Sequence, residues 1–393
     1  MHTLQLEKLR KETPACEFLL HFNNAGASLS PQAVIDAVKN HLDLEAKIGG
    51  YEAEAAASNQ SSKIYIAAAK LLNCHHEEIA FLENATRAWE MIFYSFKFKK
   101  GDRVLTCRSE YASNYLAFLD MAKRTGLVID VINDDEYGQI DLNDLQSKIN
   151  EQVKLIAITH VPTQGGLINP AKEVGEIAKK FHIPYLLDAT QSIGQMPIDV
   201  QDIGCDFLCA TGRKFLRGPR GTGFLYINQS KIADYHPPFV DLHAAQWVAD
   251  NDYILRSDAL RFETWEQNIA AKIGLGVAIE YALELGLPAI WQRIQLLAQE
   301  LRQQLTAIPG IELQDLGKNK CGIVTFTYKN VSAQEIQKKL AEKKMNVSVS
   351  LQEYARLDLV KRNLPALVRS SVHYYNTEDE ITRFCKAIRA IAT

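Results

Sequence analysis

One segment near the middle of the chain constrains the fold more than any other. Residues 154–159, Lys-Leu-Ile-Ala-Ile-Thr, form an apolar run typical of a buried strand. Asn169 then precedes a helical pattern over residues 170–181, and residues 183–187 form the next apolar run. A strand, a helix and a second strand at this spacing predict a β-α-β unit, and therefore parallel strands.

Strand and helix patterns alternate along most of the rest of the chain. Further apolar runs predict strands at 104–107, 127–132, 207–210 and 224–227. After about residue 260 the pattern changes to two long helical stretches followed by short strands. We therefore expect an α/β fold, with a large domain built on a mainly parallel central sheet and a smaller α+β C-terminal domain. The predicted divisions are an N-terminal arm at 1–20, the large domain at 21–260 and the small domain at 261–393.

Composition excludes several classes of protein. The chain has 393 residues, with 44 Lys and Arg against 47 Asp and Glu, a net charge of −3. Because no basic run stands out, a nucleic-acid partner is not expected. No apolar stretch approaches the roughly 20 residues that a membrane helix needs, and the first residues lack a signal-peptide pattern. The seven cysteines are scattered, with no Cys-x-x-Cys pair, which favours reduced thiols and a cytoplasmic location.

Polar residues follow three of the predicted strands. Thr163 comes after the first, Asp188 and Gln191 after the second, and Thr211 to Lys214 after the third. Ligands of parallel α/β sheets bind beyond the carboxyl ends of the strands, so these residues should converge on one crevice. A lysine at that edge, opposite an acid, suits Schiff-base chemistry. The glycine-rich residues 218–223 precede a strand, and are therefore neither a Walker loop nor a dinucleotide fingerprint.

These residues belong to motifs that run through nearly the whole chain. The motifs are 22–26 (Phe-Asn-Asn-Ala-Gly), 83–86 (Glu-Asn-Ala-Thr), 109–113 (Ser-Glu-Tyr-Ala-Ser), 160–166 (His-Val-Pro-Thr-Gln-Gly-Gly), 188–194 (Asp-Ala-Thr-Gln-Ser-Ile-Gly), 211–214 (Thr-Gly-Arg-Lys), 218–223 (Gly-Pro-Arg-Gly-Thr-Gly) and 368–377 (Val-Arg-Ser-Ser-Val-His-Tyr-Tyr-Asn-Thr). In this order they resemble the pyridoxal 5′-phosphate (PLP) enzymes of fold type I, in the class V aminotransferase and cysteine desulfurase superfamily. The resemblance implies an enzyme with PLP as its cofactor.

The resemblance also implies roles for individual residues. Lys214 matches the lysine that forms the Schiff base with the cofactor and moves the substrate Cα proton, and Asp188 matches the partner of the pyridinium nitrogen. The other implied contacts are Tyr111 stacked on the ring, Gln191 and Thr163 at the phenolic oxygen, Ala85, Thr86, Thr211 and Arg213 at the phosphate, and Asn24 and Arg369 on the substrate side. A homodimer is implied as well.

Two positions depart from the pattern of the family. Arg213 stands where many relatives have histidine, which leaves phosphate binding intact. Trp265 and Glu266 stand where relatives commonly have a Gly-Thr pair that reaches the phosphate of the neighbouring subunit. Because a glutamate repels phosphate, we do not expect that intersubunit contact.

The most informative absence concerns cysteine. Desulfurases of this superfamily carry a nucleophilic cysteine on a loop shortly before the carboxylate-binding arginine, and residues 347–364 contain none. Cys321 and Cys385 are expected to be core thiols, as are Cys205 and Cys209. Persulfide transfer through an enzyme cysteine is therefore not expected.

The resemblance narrows the function without fixing the substrate. The tract 347–369 is most similar to relatives of isopenicillin N epimerase and of ergothioneine-pathway C–S lyases. We expect a C–S lyase or transaminase acting on a small or sulfur-containing α-amino acid, with an epimerase as the alternative. Cysteine desulfurase activity and a non-catalytic scaffold rank behind these.

Overall fold

A computed structural model describes residues 5–391 of the chain. The strands are β1 Leu20–His21, β2 Ile79–Leu82, β3 Arg103–Thr106, β4 Val128–Val131, β5 Val153–Thr159, β6 Tyr185–Asp188, β7 Phe207–Thr211, β8 Gly223–Ile227, β9 Ala245–Ala249, β10 Asp252–Leu255, β11 Ile311–Leu313, β12 Ile323–Tyr328, β13 Met345–Asn346, β14 Ser348–Leu351 and β15 Ala366–Ser371. The helices are α1 Leu6–Lys11, α2 Gln32–Ile48, α3 Gly50–Ala56, α4 Ser58–Ser61, α5 Lys63–Leu72, α6 Ala85–Phe93, α7 Ala112–Thr125, α8 Leu142–Lys148, α9 Ala171–Lys180, α10 Val200–Ile203, α11 Ile269–Leu285, α12 Leu287–Thr306, α13 Ala333–Glu342, α14 Arg356–Lys361 and α15 Glu378–Arg389.

A seven-stranded sheet forms the centre of the molecule, in the order β2-β8-β7-β6-β5-β3-β4. Strands β3 to β7 are parallel, whereas β8 runs antiparallel to both β7 and β2. Strand β6 is buried along its whole length, as helices cover both faces of a parallel sheet. The predicted α/β class with a mainly parallel central sheet is confirmed.

A smaller sheet of four strands lies in the C-terminal part of the chain. Its order is β11-β12-β15-β14, and every neighbouring pair is antiparallel. Helices α12, α13 and α15 pack around it. A capping box begins α15, since the Thr377 hydroxyl accepts from the Glu380 amide while the Glu380 carboxylate accepts from the Thr377 amide.

The N-terminal segment joins the two sheets. Strand β1 pairs with β13, and Asn23 bridges to Ser371 at the end of β15. Helix α11, which follows residue 260, packs against α2 and α5. Apolar contact therefore continues across the proposed boundary between domains, and the division at 1–20, 21–260 and 261–393 stays a prediction.

Residues 235–255 contain a two-stranded antiparallel hairpin of β9 and β10. Trp247 and Tyr253 lie exposed on this hairpin.

No single helix within residues 5–391 is long and apolar enough to cross a membrane. Helices α11 and α12 reach the required length and composition only when taken together, and they meet at an angle of 80°.

Candidate active site

A cavity of about 460 Å³ opens at the carboxyl ends of the parallel strands. Because β5, β6 and β7 run in the same direction, the residues that follow them meet at this edge. Nine of the predicted site residues line the cavity: Ala85, Thr86, Tyr111, Thr163, Asp188, Gln191, Thr211, Arg213 and Lys214. The sequence therefore predicted the position of the crevice and most of its lining.

Lys214 lies in the turn after β7, and its side chain is buried. Burial lowers the pKa of its amine to about 7, and the positive charges of Arg213 and Arg369 lower it further, against the opposing charge of Asp188. A lysine with this pKa is largely neutral at slightly alkaline pH. It can therefore act as a nucleophile toward a carbonyl and as a base.

Asp188 is the last residue of β6 and is also buried. Its Oδ1 accepts from the Thr190 amide at 2.9 Å, and its Oδ2 accepts from Asn114 Nδ2 at 2.9 Å. These bonds fix the orientation of the carboxylate at the cavity wall. Asn114, on α7, also lines the cavity and was missed from the sequence.

Asn114 connects Asp188 to a second buried carboxylate. Its Nδ2 also donates to Glu110 Oε1 at 2.9 Å. The same oxygen accepts from the Tyr111 amide at 2.8 Å and from the Thr159 hydroxyl at 2.5 Å. Burial raises the pKa of Glu110 to about 7 despite these donors. Glu110, too, was missed; it lies before α7, which begins at Ala112.

The far end of the cavity is cationic and lies at the start of α6. Asn84 caps this helix by accepting from the Arg87 amide at 2.9 Å. Ala85 and Thr86 begin the first turn, where free amide groups attract anions. Arg213 and Arg220 both line this region. The Thr211 hydroxyl donates to the Thr222 carbonyl and accepts from Arg213, so it also positions that guanidinium.

The two predicted substrate residues have different surroundings. Arg369, on β15, donates to Thr163 and, at 3.4 Å, to Asn23 Oδ1, which places it beside the cavity wall. Asn24 faces elsewhere, because its Nδ2 donates to the Ser371 carbonyl at 2.8 Å while its Oδ1 accepts from the Tyr375 hydroxyl. The structure therefore brings Asn23, rather than the predicted Asn24, toward Arg369.

Trp265 and Glu266 lie outside this cavity. They line a neighbouring one of about 650 Å³, which shares Glu83 and Gly221 with the first. The Trp265 side chain is 57% exposed, and its amide donates to Asp241 at 2.7 Å. In the described chain these two residues thus border a separate, open surface.

All seven cysteines lie within residues 5–391, and none lines the 460 Å³ cavity. The predictions that Cys205, Cys209, Cys321 and Cys385 are buried are confirmed. Burial raises the pKa of each of these thiols, which leaves them un-ionised at neutral pH.

The residues around the cavity fit PLP. A buried neutral lysine, a buried aspartate and a cationic helix N-terminus stand at separate points of the wall. Two buried polar atoms, Gln191 Oε1 and Arg369 Nε, have no hydrogen-bond partner among residues 5–391. Unpaired buried polar atoms are costly, and a bound polar molecule would satisfy them.

Comparison with known proteins identifies the family. The family model described as aminotransferase class-V matches residues 20–384. The chain belongs to the class-V aminotransferase family. The predicted superfamily, its PLP cofactor and its enzymatic nature are thereby confirmed.

The relatives carry the name cysteine desulfurase. A probable cysteine desulfurase of Methanothermobacter thermautotrophicus is 29% identical over 396 residues, covering 99% of this chain and 98% of the relative. One of Pyrococcus abyssi is 30% identical over 386 residues, covering 96% and 95%. The apo structure of the Thermococcus onnurineus cysteine desulfurase superposes with a TM-score of 0.92 at 26% identity, covering 100% of this chain and 99% of that one. These relatives do not support the predicted epimerase branch.

Proposed function

We propose that this enzyme is a PLP-dependent C–S lyase that acts on cysteine or a small cysteine derivative and forms no persulfide on its own cysteines. The names of the relatives support a sulfur-containing amino acid as the substrate. The observation that carries the proposal is a cavity with Lys214, Asp188 and the neighbouring Arg369 but no thiol in its wall. Without a thiol there to accept sulfur, cleavage of the C–S bond releases the sulfur group directly.

When bound, PLP supplies an electron sink for negative charge that develops at the substrate Cα. In the proposed arrangement Asp188 holds a proton on the ring nitrogen, and Tyr111 stacks on the ring. The amides of Ala85 and Thr86, with Arg213, hold the phosphate. Gln191 and Thr163 contact the phenolic oxygen. Thr211 contributes by orienting Arg213.

Lys214 has two tasks in this proposal. It would hold bound PLP covalently, and its free neutral amine would take the proton from the substrate Cα. Its lowered pKa of about 7 suits both tasks, because the neutral form is available near neutral pH. Arg369 binds the substrate carboxylate, since its guanidinium is buried and one of its donors is free within the described chain.

Product analysis tests the proposal. Purified enzyme is incubated with cysteine, cystine, S-alkyl cysteines and alanine, with Lys214→Ala as the inactive control. Pyruvate with equimolar ammonia supports the C–S lyase, together with sulfide from cysteine, a thiol from an S-alkyl cysteine or cysteine persulfide from cystine. Alanine with persulfide would assign a desulfurase, an oxo acid without ammonia a transaminase, and the opposite enantiomer of the substrate an epimerase. Full activity in Lys214→Ala would overturn the role of this lysine.

We also propose a homodimer. Leu42 and Tyr51 are exposed apolar residues that line the 650 Å³ cavity together with Trp265, and the hairpin of β9 and β10 exposes Trp247. Clusters of exposed apolar side chains mark association surfaces, and two-fold dimers are the commonest oligomers. The cytoplasmic location stays a prediction, which the seven free thiols support.

A further inference from the structure

Glu110 is a buried carboxyl group to which the proposed function assigns no role. It lies in the segment between β3 and α7 and is 4% exposed. Its Oε2 accepts from the Thr106 hydroxyl at 2.9 Å, in addition to the three donors at Oε1. Burying a carboxyl group is costly unless it is hydrogen-bonded, and these four donors, with the Cys107 thiol at 3.9 Å from Oε2, meet that requirement. One side chain, that of Asn114, separates Glu110 from Asp188, which indicates that Glu110 acts on Asp188.

The connection to Asp188 runs through a single amide. Asn114 Nδ2 lies 2.9 Å from Glu110 Oε1 and 2.9 Å from Asp188 Oδ2. An amide nitrogen has two protons, and here each has a carboxylate as its acceptor. The reverse orientation would place the amide oxygen against two carboxylates. Glu110 therefore holds the Asn114 amide in the one orientation that donates to Asp188.

Asp188 also affects the protonation of Glu110. The negative charge of Asp188 contributes to the raised pKa of Glu110. The other titratable groups that interact with this pair are the Lys214 amine, whose pKa is lowered to about 7, and the thiols of Cys107 and Cys209, whose pKa burial raises. At neutral pH these thiols are un-ionised. Glu110 and Lys214 are thus the two groups near Asp188 whose charge changes near pH 7.

We infer that Glu110 is a second acidic residue of the cofactor site, which positions Asp188 through Asn114 and adds negative charge behind it. The inference rests on the proposed function, in which Asp188 faces the ring nitrogen. A cation bound at Asp188 favours the ionised form of Glu110. By reciprocity, ionised Glu110 strengthens the binding of that cation. Glu110 is a positioning residue, because it acts through Asn114 and Asp188.

The test measures PLP affinity in the Lys214→Ala background, where binding is noncovalent and the titration of the lysine is absent. Glu110→Gln keeps the size of the side chain and an oxygen for the three donors, but removes the charge. The dissociation constant of PLP is compared with and without this change at pH 6 and pH 8. We expect the PLP dissociation constant with Glu110→Gln, divided by that without it, to be near one at pH 6. At pH 8 this ratio should be about ten, the effect of one nearby charge in a partly screened site.

Two further variants make the result interpretable. Glu78→Gln is the matched control, because Glu78 is another buried carboxylate whose acceptors bind the amides of His75 and Gln229, away from the cavity. Its ratio should stay near one at both pH values. Asn114→Leu removes the connecting amide. In that variant, adding Glu110→Gln should have a smaller effect at pH 8 than it has when Asn114 is present.

The outcomes separate the two proposals. The inference is overturned if Glu110→Gln changes the PLP dissociation constant by the same factor at pH 6 and pH 8, whatever that factor is. A purely structural role does not depend on the charge. Asp188→Asn, measured in the same background, tests the proposed function. If Asp188→Asn leaves PLP affinity unchanged, the role of Asp188 fails. If Asp188→Asn weakens PLP binding while the effect of Glu110→Gln is the same at pH 6 and pH 8, only the inference about Glu110 fails.

Discussion

The Arg369 guanidinium donates from one nitrogen to both the carbonyl oxygen of Thr163, at 3.0 Å, and its hydroxyl oxygen, at 2.7 Å. Arg369 is on β15 of the small sheet, and Thr163 follows β5 of the large one. The contact therefore joins the two sheets beside the cavity. It also leaves Nε of Arg369 without a partner in the described part of the chain.

Arg369→Gln should weaken substrate binding while sparing the cofactor. A charge-assisted contact to a carboxylate is lost, so KM for an amino-acid substrate should rise about 100-fold, as for other charge-assisted hydrogen bonds. The PLP content of the purified variant should match that of the wild type. Arg362→Gln is the control, because Arg362 bonds to Asp358 and Gln314 instead of the cavity loop. An unchanged KM in Arg369→Gln would contradict the role of this residue.

Six of the nine cavity residues were predicted for a simple physical reason, because they follow predicted strands: Thr163, Asp188, Gln191, Thr211, Arg213 and Lys214. Apolar strand cores are recognisable from sequence, and the polar residues that end them must lie at one edge of a parallel sheet. Ala85, Thr86 and Tyr111 were implied by the resemblance to the family. Asn114 was missed because it lies within a predicted helix, where a polar residue ordinarily faces water. It shares a buried face with Ala117 and Phe118, three and four residues later, and that spacing was the available signal.

Other features depend on contacts between distant parts of the chain. Whether Asn23 or Asn24 contacts Arg369 depends on the pairing of β1 with β13 and of Asn23 with Ser371. Nothing in the local sequence encodes this pairing, and successive side chains of an extended segment point to opposite sides. The antiparallel position of β8 between β2 and β7 is likewise a property of strand order, which local patterns do not determine.

Capture of PLP by the apoenzyme should depend on pH through Lys214. Only the neutral amine attacks a carbonyl, and its pKa is lowered to about 7, so the yield of borohydride-trapped cofactor at short times should rise with pH and be half-maximal near pH 7. Arg213→Gln removes a charge that lowers this pKa, and its midpoint should lie at higher pH. Arg124→Gln, at the exposed end of α7, should keep the wild-type midpoint. A wild-type midpoint above pH 9 would contradict the lowered pKa.

Turnover should leave no sulfur on the protein. Mass spectrometry of the intact enzyme, quenched during turnover of cysteine, should show no added sulfur, while sulfide accumulates in solution. Cys321→Ala and Cys385→Ala should each retain kcat, because both thiols are buried in the core and away from the cavity. A persulfide on any cysteine, lost together with activity when that cysteine is replaced, would restore the desulfurase assignment.

Replacing Glu110 should change how the stability of the apoenzyme depends on pH. Burial raises the pKa of Glu110 from 4.5 to about 7 in the folded protein, so between these values the folded state binds more protons than the unfolded state. Its contribution to stability is therefore greatest at low pH and falls as pH rises toward 7. In Glu110→Gln the side chain at this position does not titrate, so the variant does not lose this contribution to stability as pH rises.

Urea unfolding of both apoproteins from pH 5 to pH 8 measures the difference. The free energy of unfolding of Glu110→Gln, relative to wild type, should increase with pH by about 3 kcal/mol and level off above pH 7, the amount that corresponds to this pKa shift. A constant difference across the range would mean that Glu110 has the same pKa in the folded and unfolded chains. The charge that the inference places behind Asp188 would then be present at pH 6 as well as at pH 8. In that case, the tenfold change in PLP affinity between those two pH values should also be absent.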